Sequence, residues 1–222
     1  MKTPGSAPVA KPRQVCCAAV SPQPWRNGGG QTRELLTWPP GAAWRLRLSV
    51  ADIQADGPFS VFEGVQRWFV VLDGAGVRLH TAGQSHHLTP DSPPLRFSGD
   101  AATDCWLTDG PTRDLNLMLR DCAGGLVTVV PGQAWSGGNV ACGLFTTGAG
   151  QCQVQGWHCA MPALSLLWFD QPPGPLTFAC DDAAQARAWW IWAHLTATRT
   201  LNQKPACHDH PVAQCPPHHA GR

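Results

Sequence analysis

Short apolar runs alternate with turns along almost the whole chain, and helical periodicity is nearly absent. From Trp44 to Ala51, the apolar residues Trp, Leu, Leu and Val occupy every second position, which predicts a strand with one buried face. The continuous apolar run at 67–72 ends at an Asp-Gly turn, and 77–80 is predicted to return beside it as a hairpin. Further short strands are predicted at 14–20, 84–88, 95–98, 104–107 and 115–120.

A second series of strands follows Ala123-Gly124-Gly125, and its members are predicted at 126–130, 143–147, 153–157, 164–169 and 176–179. The segment 181–201 is ambiguous, because its alanines and leading aspartates allow a capped helix, whereas a turn followed by a strand at 189–196 agrees slightly better with its pattern. Strands at this spacing are typical of a sandwich or barrel, so the predicted fold class is all-β.

The two series predict two β units, at 14–122 and 123–204. Residues 1–13 are rich in proline and are expected to be a flexible tail. Residues 205–222 carry four of the prolines, two cysteines and four of the nine histidines, and they are also expected to be disordered.

The composition narrows the classes of partner. The chain has 222 residues, in which 16 Lys and Arg nearly balance 15 Asp and Glu, so no basic surface indicates a nucleic acid or an anionic membrane. No window approaches the roughly 18 apolar residues of a membrane span, and the N-terminus lacks the apolar core of a signal peptide. We therefore expect a soluble, cytoplasmic protein.

Signatures of common cofactor and metal sites are missing. The chain has no GxGxxG and no GxSxG motif, and Gly28-Gly29-Gly30 is followed by Gln-Thr rather than by the Gly-Lys-Thr of a nucleotide-binding loop. The ten cysteines include no CxxC pair, so most are expected to be buried free thiols. The His and Cys residues of the C-terminal tail are expected to bind metal only adventitiously. We therefore predict no cofactor, no metal site and no catalytic residue.

The glycine-rich loop provides the strongest candidate site. Three consecutive glycines are costly to order, and such loops usually allow a close backbone approach. Cations and polar groups lie in and near this loop and on two later strands: Arg26, Asn27, Thr32, Arg33, Glu34, Arg67 and Asn116. If these groups converge at the mouth of a barrel they bind a small anion, because the arginine fork suits a carboxylate. The alternative is a surface network in which Arg26 or Arg33 pairs with Glu34.

Four motifs resemble the HutD/Ves family: WRNGGGQTRE at 25–34, SVADIQADGPFSVFEGVQR at 49–67, VVLDGAGV at 70–77 and DLNLM at 114–118. They appear in the order and spacing of the family and cover residues 25–120 closely, whereas the remainder matches loosely. The resemblance implies a bicupin, in which two RmlC-like jelly-roll barrels lie in one chain. It also implies an association with histidine utilisation or, for the Ves relatives, with stress responses.

The cupin comparison assigns a special position to Arg67. Metal cupins resemble the pattern G-x5-H-x-H-x3,4-E-x6-G, and Gly74 in this chain places Arg67 where such proteins have their Glu ligand. The two His positions of the pattern fall among Ser60 to Glu63, where no His occurs. The resemblance thus implies a pocket converted from metal to anion binding, with Trp25, Asn27, Thr32, Arg33 and Glu34 as its wall and Asn116 as a further contact.

The favoured function is non-catalytic binding of a small carboxylate metabolite of the formate, urocanate or formylglutamate type. A rival is a cupin enzyme acting on a small amino-acid or sugar derivative, with Glu34, Glu63 or the more remote His80 as its general base. A third hypothesis is a protein-interaction module that uses exposed Trp residues. The sequence does not decide the oligomeric state, and a homodimer is compatible with it.

Overall fold

The computed structural model describes residues 12–138, 140–171, 174–182 and 186–195. Within these ranges the chain forms eighteen β-strands and one turn of 3-10 helix, so the all-β prediction is confirmed. No helix in the described ranges has the length and apolar character needed to cross a lipid bilayer. The C-terminal tail at 205–222 lies outside the described residues.

The first eleven strands are β1 (Arg13–Cys16), β2 (Gln23–Pro24), β3 (Gly30–Trp38), β4 (Leu46–Ile53), β5 (Gly57–Pro58), β6 (Val65–Asp73), β7 (Val77–Thr81), β8 (Gln84–Leu88), β9 (Leu95–Ser98), β10 (Thr103–Leu107) and β11 (Thr112–Arg120). The 3-10 turn, Cys17–Ala19, follows β1. The remaining strands are β12 (Gly124–Thr128), β13 (Ala141–Thr146), β14 (Gly150–Val154), β15 (Trp157–Met161), β16 (Ser165–Phe169), β17 (Leu176–Cys180) and β18 (Ala188–Ala193).

The strands form four sheets, and every paired strand runs antiparallel to its neighbours. The first half of the chain builds a six-stranded sheet in the order β2-β3-β4-β11-β6-β9 and a four-stranded sheet in the order β5-β10-β7-β8. The second half builds a five-stranded sheet in the order β1-β16-β13-β18-β12 and a three-stranded sheet in the order β15-β14-β17. The change from the first pair of sheets to the second falls between β11 and β12.

Strand β1 joins the sheets of the second half although it comes first in the chain. Val15 lies opposite Leu166 on β16 and packs at the edge of the core between the two halves. The observed strand is shorter than the first strand predicted at 14–20, and it pairs with a strand of the second half. The bounds of the two predicted units, 14–122 and 123–204, stay a prediction. Burial of Val15 against the second half gives a physical reason for this pairing.

The six- and five-stranded sheets form the two middle layers. Side chains from one face of the six-stranded sheet, such as Phe69, pack against Leu79 of the four-stranded sheet. Side chains from its other face, such as Leu117, pack with Trp168 and Trp189 of the five-stranded sheet. The prediction that strand 44–51 has one buried face is wrong. The corresponding strand, β4, belongs to a middle layer and is covered on both faces.

The ambiguous segment at 181–201 contains strand β18, as the favoured interpretation predicted. Within it, Trp189 and Ile191 face the core between the halves, whereas Trp190 faces the core of the second half and stacks on Trp135 at a centroid distance of 5.2 Å. Side chains buried on alternate faces require the period of a strand. This tertiary demand outweighs the helix propensity of the neighbouring alanines.

Candidate functional site

A cavity of about 470 Å³ opens in the first half of the chain, on the face of the six-stranded sheet that is directed at the four-stranded sheet. Its floor comes from β4, β6 and β11, and its walls come from the segment 23–27 and the segment 58–62. A cavity of this size accommodates a small metabolite.

Strand alternation determines which side chains reach the floor. Residues of β4 at positions 47, 49, 51 and 53 face the cavity, and those at 46, 48 and 50 face the core between the halves. On β11, Met118 lies opposite Arg47 on one side and opposite Arg67 on the other. The two arginines thus lie at the same level of one sheet face, with a single strand between them.

Arg67 is the most unusual group in the cavity. Arg67 is only 5% exposed, and its Nη2 donates a hydrogen bond to Oδ1 of Asn116 at 3.1 Å. Its Nε is buried and has no hydrogen-bond partner among the described residues. Burial, and to a smaller extent the charge of Arg47, lower the pKa of Arg67 to about 10, which still leaves it protonated at neutral pH.

Three aromatic rings surround the guanidinium of Arg67. Its Cζ lies 5.0 Å from the ring centroids of Phe59 and Phe97 and 5.8 Å from that of Phe62. Such cation–π contacts stabilise a cation by about 0.5–2 kcal/mol depending on its hydration. They attract the charge, but they offer no hydrogen-bond acceptor to the Nε.

No carboxylate among the described residues forms an ion pair with Arg67. The groups that line the cavity include three cations, Arg26, Arg47 and Arg67, but neither an acid nor a histidine. Buried charges in proteins are normally paired, because desolvation of an unpaired ion is costly. The cavity is therefore electrostatically suited to an anion that accepts hydrogen bonds from Arg67.

The glycine loop shapes the mouth of the cavity. Trp25 Nε1 donates to Thr32 Oγ1 at 2.7 Å, and the Trp25 backbone N–H donates to the carbonyl of Gly30 at 2.9 Å. A Cβ at Gly30 would lie 2.4 Å from the backbone oxygen of Asp52 and 3.1 Å from the Trp25 ring. Glycine is required there because the loop packs directly on β4, as the close-approach argument predicted.

Six of the eight candidate site residues line the cavity: Trp25, Arg26, Asn27, Thr32, Arg67 and Asn116. The other two, Arg33 and Glu34, are not brought to it. Neither forms the surface network that the sequence left as the alternative, because Arg33 pairs with Asp52 at 2.6 Å and Glu34 pairs with Arg47 at 2.8 Å.

Asp52 is the centre of the network that holds Arg33 away from the cavity. Arg113 donates to Oδ1 of Asp52 at 2.6 Å, and Gln31 donates at 2.9 Å to Oδ2, the oxygen that Arg33 also contacts. Burial alone would raise the pKa of Asp52, but the hydrogen bonds from Arg113, Arg33 and Gln31 outweigh burial and lower the pKa to about 2. Arg33 is thus occupied by an internal partner.

Several lining residues were missed by the sequence argument, notably Arg47, Ser49, Phe59, Phe62 and Met118. Arg47 and Ser49 lie at every second position of β4, the positions that looked like a solvent-facing side. The alternation of β4 does place these residues on one face. That this face is the floor of a cavity follows only when a second sheet is known to cover it.

The positions that the cupin resemblance assigned to metal-binding histidines lie at the cavity. Ser60 and Phe62 line it, and neither can supply an imidazole. Within the described ranges no group of three or more His, Cys, Asp or Glu could hold a metal ion. Of the proposed general bases, Glu34 and Glu63 do not line the cavity, and His80 contacts Ser85 at 3.0 Å on the hairpin of β7 and β8.

The sequence and fold were compared with known proteins. A family model described as HutD matches residues 18–188. Protein Ves of Citrobacter koseri is 33% identical over 175 residues, which cover 70% of this chain and 86% of that protein. The structure of HutD from Pseudomonas fluorescens SBW25, in a formate condition, is similar with a TM-score of 0.71 and 27% identity, covering 84% of this chain and 100% of that chain.

A cupin 2 conserved barrel domain protein from Leptotrichia buccalis is similar with a TM-score of 0.51 and 8% identity, covering 85% of this chain and 98% of that chain. At this identity the likeness concerns the fold alone. Together with the eighteen strands, it supports the predicted cupin-type architecture.

Proposed function

The chain belongs to the HutD family, and from this premise we propose that it binds a small carboxylate metabolite at Arg67 and thereby moderates histidine utilisation or a stress response. The observation that carries the proposal is a buried guanidinium with an unpartnered Nε in a cavity lined by cations and by no acid within the described part of the chain. The matching family model and the similar structure from Pseudomonas fluorescens both carry the name HutD, which supports the proposed link to histidine utilisation.

The chemistry of recognition follows from the free donors. A carboxylate oxygen accepts from the N–H groups of the Arg67 guanidinium that Asn116 does not occupy, and Asn116, which also lines the cavity, offers its amide N–H groups as further donors. Charge-assisted hydrogen bonds of this kind contribute about 1.5–3 kcal/mol each. Two or three of them correspond to affinities from about micromolar to millimolar, the range of a metabolite sensor.

Binding without catalysis is the better-supported form of the proposal. An enzyme acting on this ligand would need a general acid or base near the reacting atoms. The lining of the cavity offers hydroxyls, amides and arginines, and its strongest acid–base candidates in the described ranges lie elsewhere. Arginine stays protonated at neutral pH and is therefore a poor base.

Isothermal titration calorimetry with formate, urocanate and N-formylglutamate tests the proposal. The informative variants are Arg67→Gln, which removes the charge, and Asn116→Asp, which places a carboxylate beside Arg67 with almost no change in shape. Both are expected to lower affinity at least 30-fold. Arg96→Gln is the matched control, because Arg96 also lies against a ring, that of Trp68, but does not line the cavity.

The folded state of each variant is checked by circular dichroism before titration. Wild-type affinity retained in Asn116→Asp would show that the anion does not meet Arg67. No heat and no thermal shift with any of the three carboxylates, at millimolar concentration and in folded wild-type protein, would overturn the proposal as a whole.

A further inference from the structure

The second half of the chain contains two cysteines that face each other across a hairpin. Strands β14 and β15 pair in antiparallel register, and Cys152 lies directly opposite Cys159. Among the described cysteines this is the only pair in direct cross-strand register; Cys142, for example, lies opposite Phe169 and Trp192.

The turn fixes this register. Gln155 and Gly156 form a two-residue connection, and both have positive φ angles, of 42° and 79°. Positive φ at both central residues defines a type I′ turn, whose twist matches that of the flanking strands. With the pairing of Val154 and Trp157 set by the turn, Cys152 and Cys159 cannot slip out of register without moving every side chain of the hairpin to the opposite face.

The separation of the two residues suits a disulfide. Directly opposed residues of antiparallel strands have Cα atoms about 4.5–5.5 Å apart and side chains on the same face. Disulfides span Cα separations of about 4.4–6.8 Å. Both side chains face the core of the second half, where Cys152 is fully buried and Cys159 packs at the edge.

The environment of the thiols indicates how they react. Burial, and next the nearness of Cys159, raise the pKa of Cys152 to about 12, and burial also raises the pKa of Cys159. Both are therefore protonated at neutral pH and react slowly, because the thiolate is the nucleophile. Cys159 is the partly exposed member and is the one that an oxidant in solution meets first.

We propose that Cys152 and Cys159 are a modification site, where a peroxide converts the hairpin pair into a reversible disulfide. The Cys159 thiolate attacks the O–O bond of the peroxide, giving a sulfenic acid and an alcohol or water. Cys152 then attacks the sulfenic sulfur and water leaves, so two thiols and one peroxide yield one disulfide, one alcohol and one water. This inference does not depend on the proposed carboxylate ligand.

Peptide mapping of the oxidised full-length chain tests the proposal. The folded protein is treated with hydrogen peroxide, its remaining thiols are blocked with N-ethylmaleimide, and it is digested with chymotrypsin without reduction. Cleavage after Trp157, which lies between the two cysteines, separates them into two peptides that only a disulfide holds together. The linked peptide is expected in wild type and in the control Cys142→Ala, and dithiothreitol is expected to release it.

Two further measurements sharpen the test. The initial rate of linkage is expected to rise about tenfold per pH unit between pH 7 and 9, because the thiolate fraction does so below the pKa. Oxidation is expected to raise the melting temperature by about 5 °C in wild type and Cys142→Ala but not in Cys159→Ala. Maleimide label on Cys152 in fully oxidised wild type, or linkage that appears only in urea-unfolded chain, would overturn the proposal.

Discussion

Asp114 allows a quantitative test of the interior of the first half. This carboxyl is fully buried on β11, accepts a hydrogen bond from Thr112 Oγ1 at 2.9 Å through one oxygen, and has no partner in the described chain for the other. Burial raises its pKa well above the ordinary value of 3.8, against the smaller, opposing effect of the Thr112 hydrogen bond. The folded chain therefore keeps this side chain protonated to a higher pH than an unfolded chain does.

The sign and size of the effect follow from proton linkage. Above about pH 4 an unfolded chain releases the Asp114 proton, whereas the folded chain retains it until its raised pKa is reached. The contribution of Asp114 to folding stability is therefore highest below pH 4 and falls as the pH rises, by about 1.4 kcal/mol per pH unit. Asp114→Asn keeps the shape and removes this dependence.

Urea unfolding of wild type and Asp114→Asn at pH 4.5 and 5.5 measures the effect. Other titrating groups contribute equally to both proteins, so the difference between their pH responses isolates Asp114. With an m value of about 2 kcal/mol/M, the wild-type midpoint is expected to fall by about 0.7 M relative to the variant over this interval. Parallel pH responses would refute the conclusion that the buried carboxyl is protonated in the folded state.

Three further predictions concern the glycine loop and the Asp52 network. Gly30→Ala is expected to destabilise by about 1–3 kcal/mol and to weaken carboxylate binding in calorimetry, because its Cβ meets the Asp52 backbone, whereas Gly29→Ala, whose nearest neighbour is the Asn27 side chain at 3.4 Å, is expected to do neither. Wild type is expected to lose about 1–2 kcal/mol more than Asp52→Asn as the pH falls from 4 to 2, because the folded pKa of Asp52 is lowered to about 2; equal acid unfolding curves would contradict this. Arg33→Gln is expected to cost stability in urea and leave carboxylate affinity within about twofold, since Arg33 pairs with Asp52 outside the cavity; a tenfold loss would return it to the site.

The sequence predicted strands well where turn residues bound them. Asp73-Gly74 closes β6 as expected, and a strand follows at Val77. The predicted hairpin is wrong, however, because β7 does not return beside β6 but crosses to the four-stranded sheet, where it pairs with β8 and β10. What the sequence could not provide was the layer in which a strand lies. The polar face of β4 looked solvent-directed because Arg47 and Ser49 alternate with leucines, yet a second sheet covers that face and turns it into the floor of the cavity.

The candidate site, too, could be predicted from the sequence only in part. Arg67 and Asn116 were identified on separate strands. They meet because Arg67 lies two residues before Phe69, the residue of β6 that pairs with Asn116 on β11, and therefore on the same face of the sheet. Arg33 is a neighbour of the same loop in sequence, but its side chain leaves the opposite face of β3 and finds Asp52. Distinguishing the two required the sheet register, which local sequence does not specify for long-range pairs.

The pairing of β1 with β16 has a consequence for how the chain is made. A ribosome releases β1 before the other strands of the described residues, yet its partner emerges about 150 residues later, since Val15 pairs with Leu166. Until then the nascent first half carries an unsatisfied strand edge, which is the kind of segment that associates with other chains. Cutting the gene between β11 and β12 would leave both products incomplete, because one would carry a strand without a partner and the other a sheet without its border. The two halves are thus successive in sequence but completed together, because β1 gains its partner only when β16 is present.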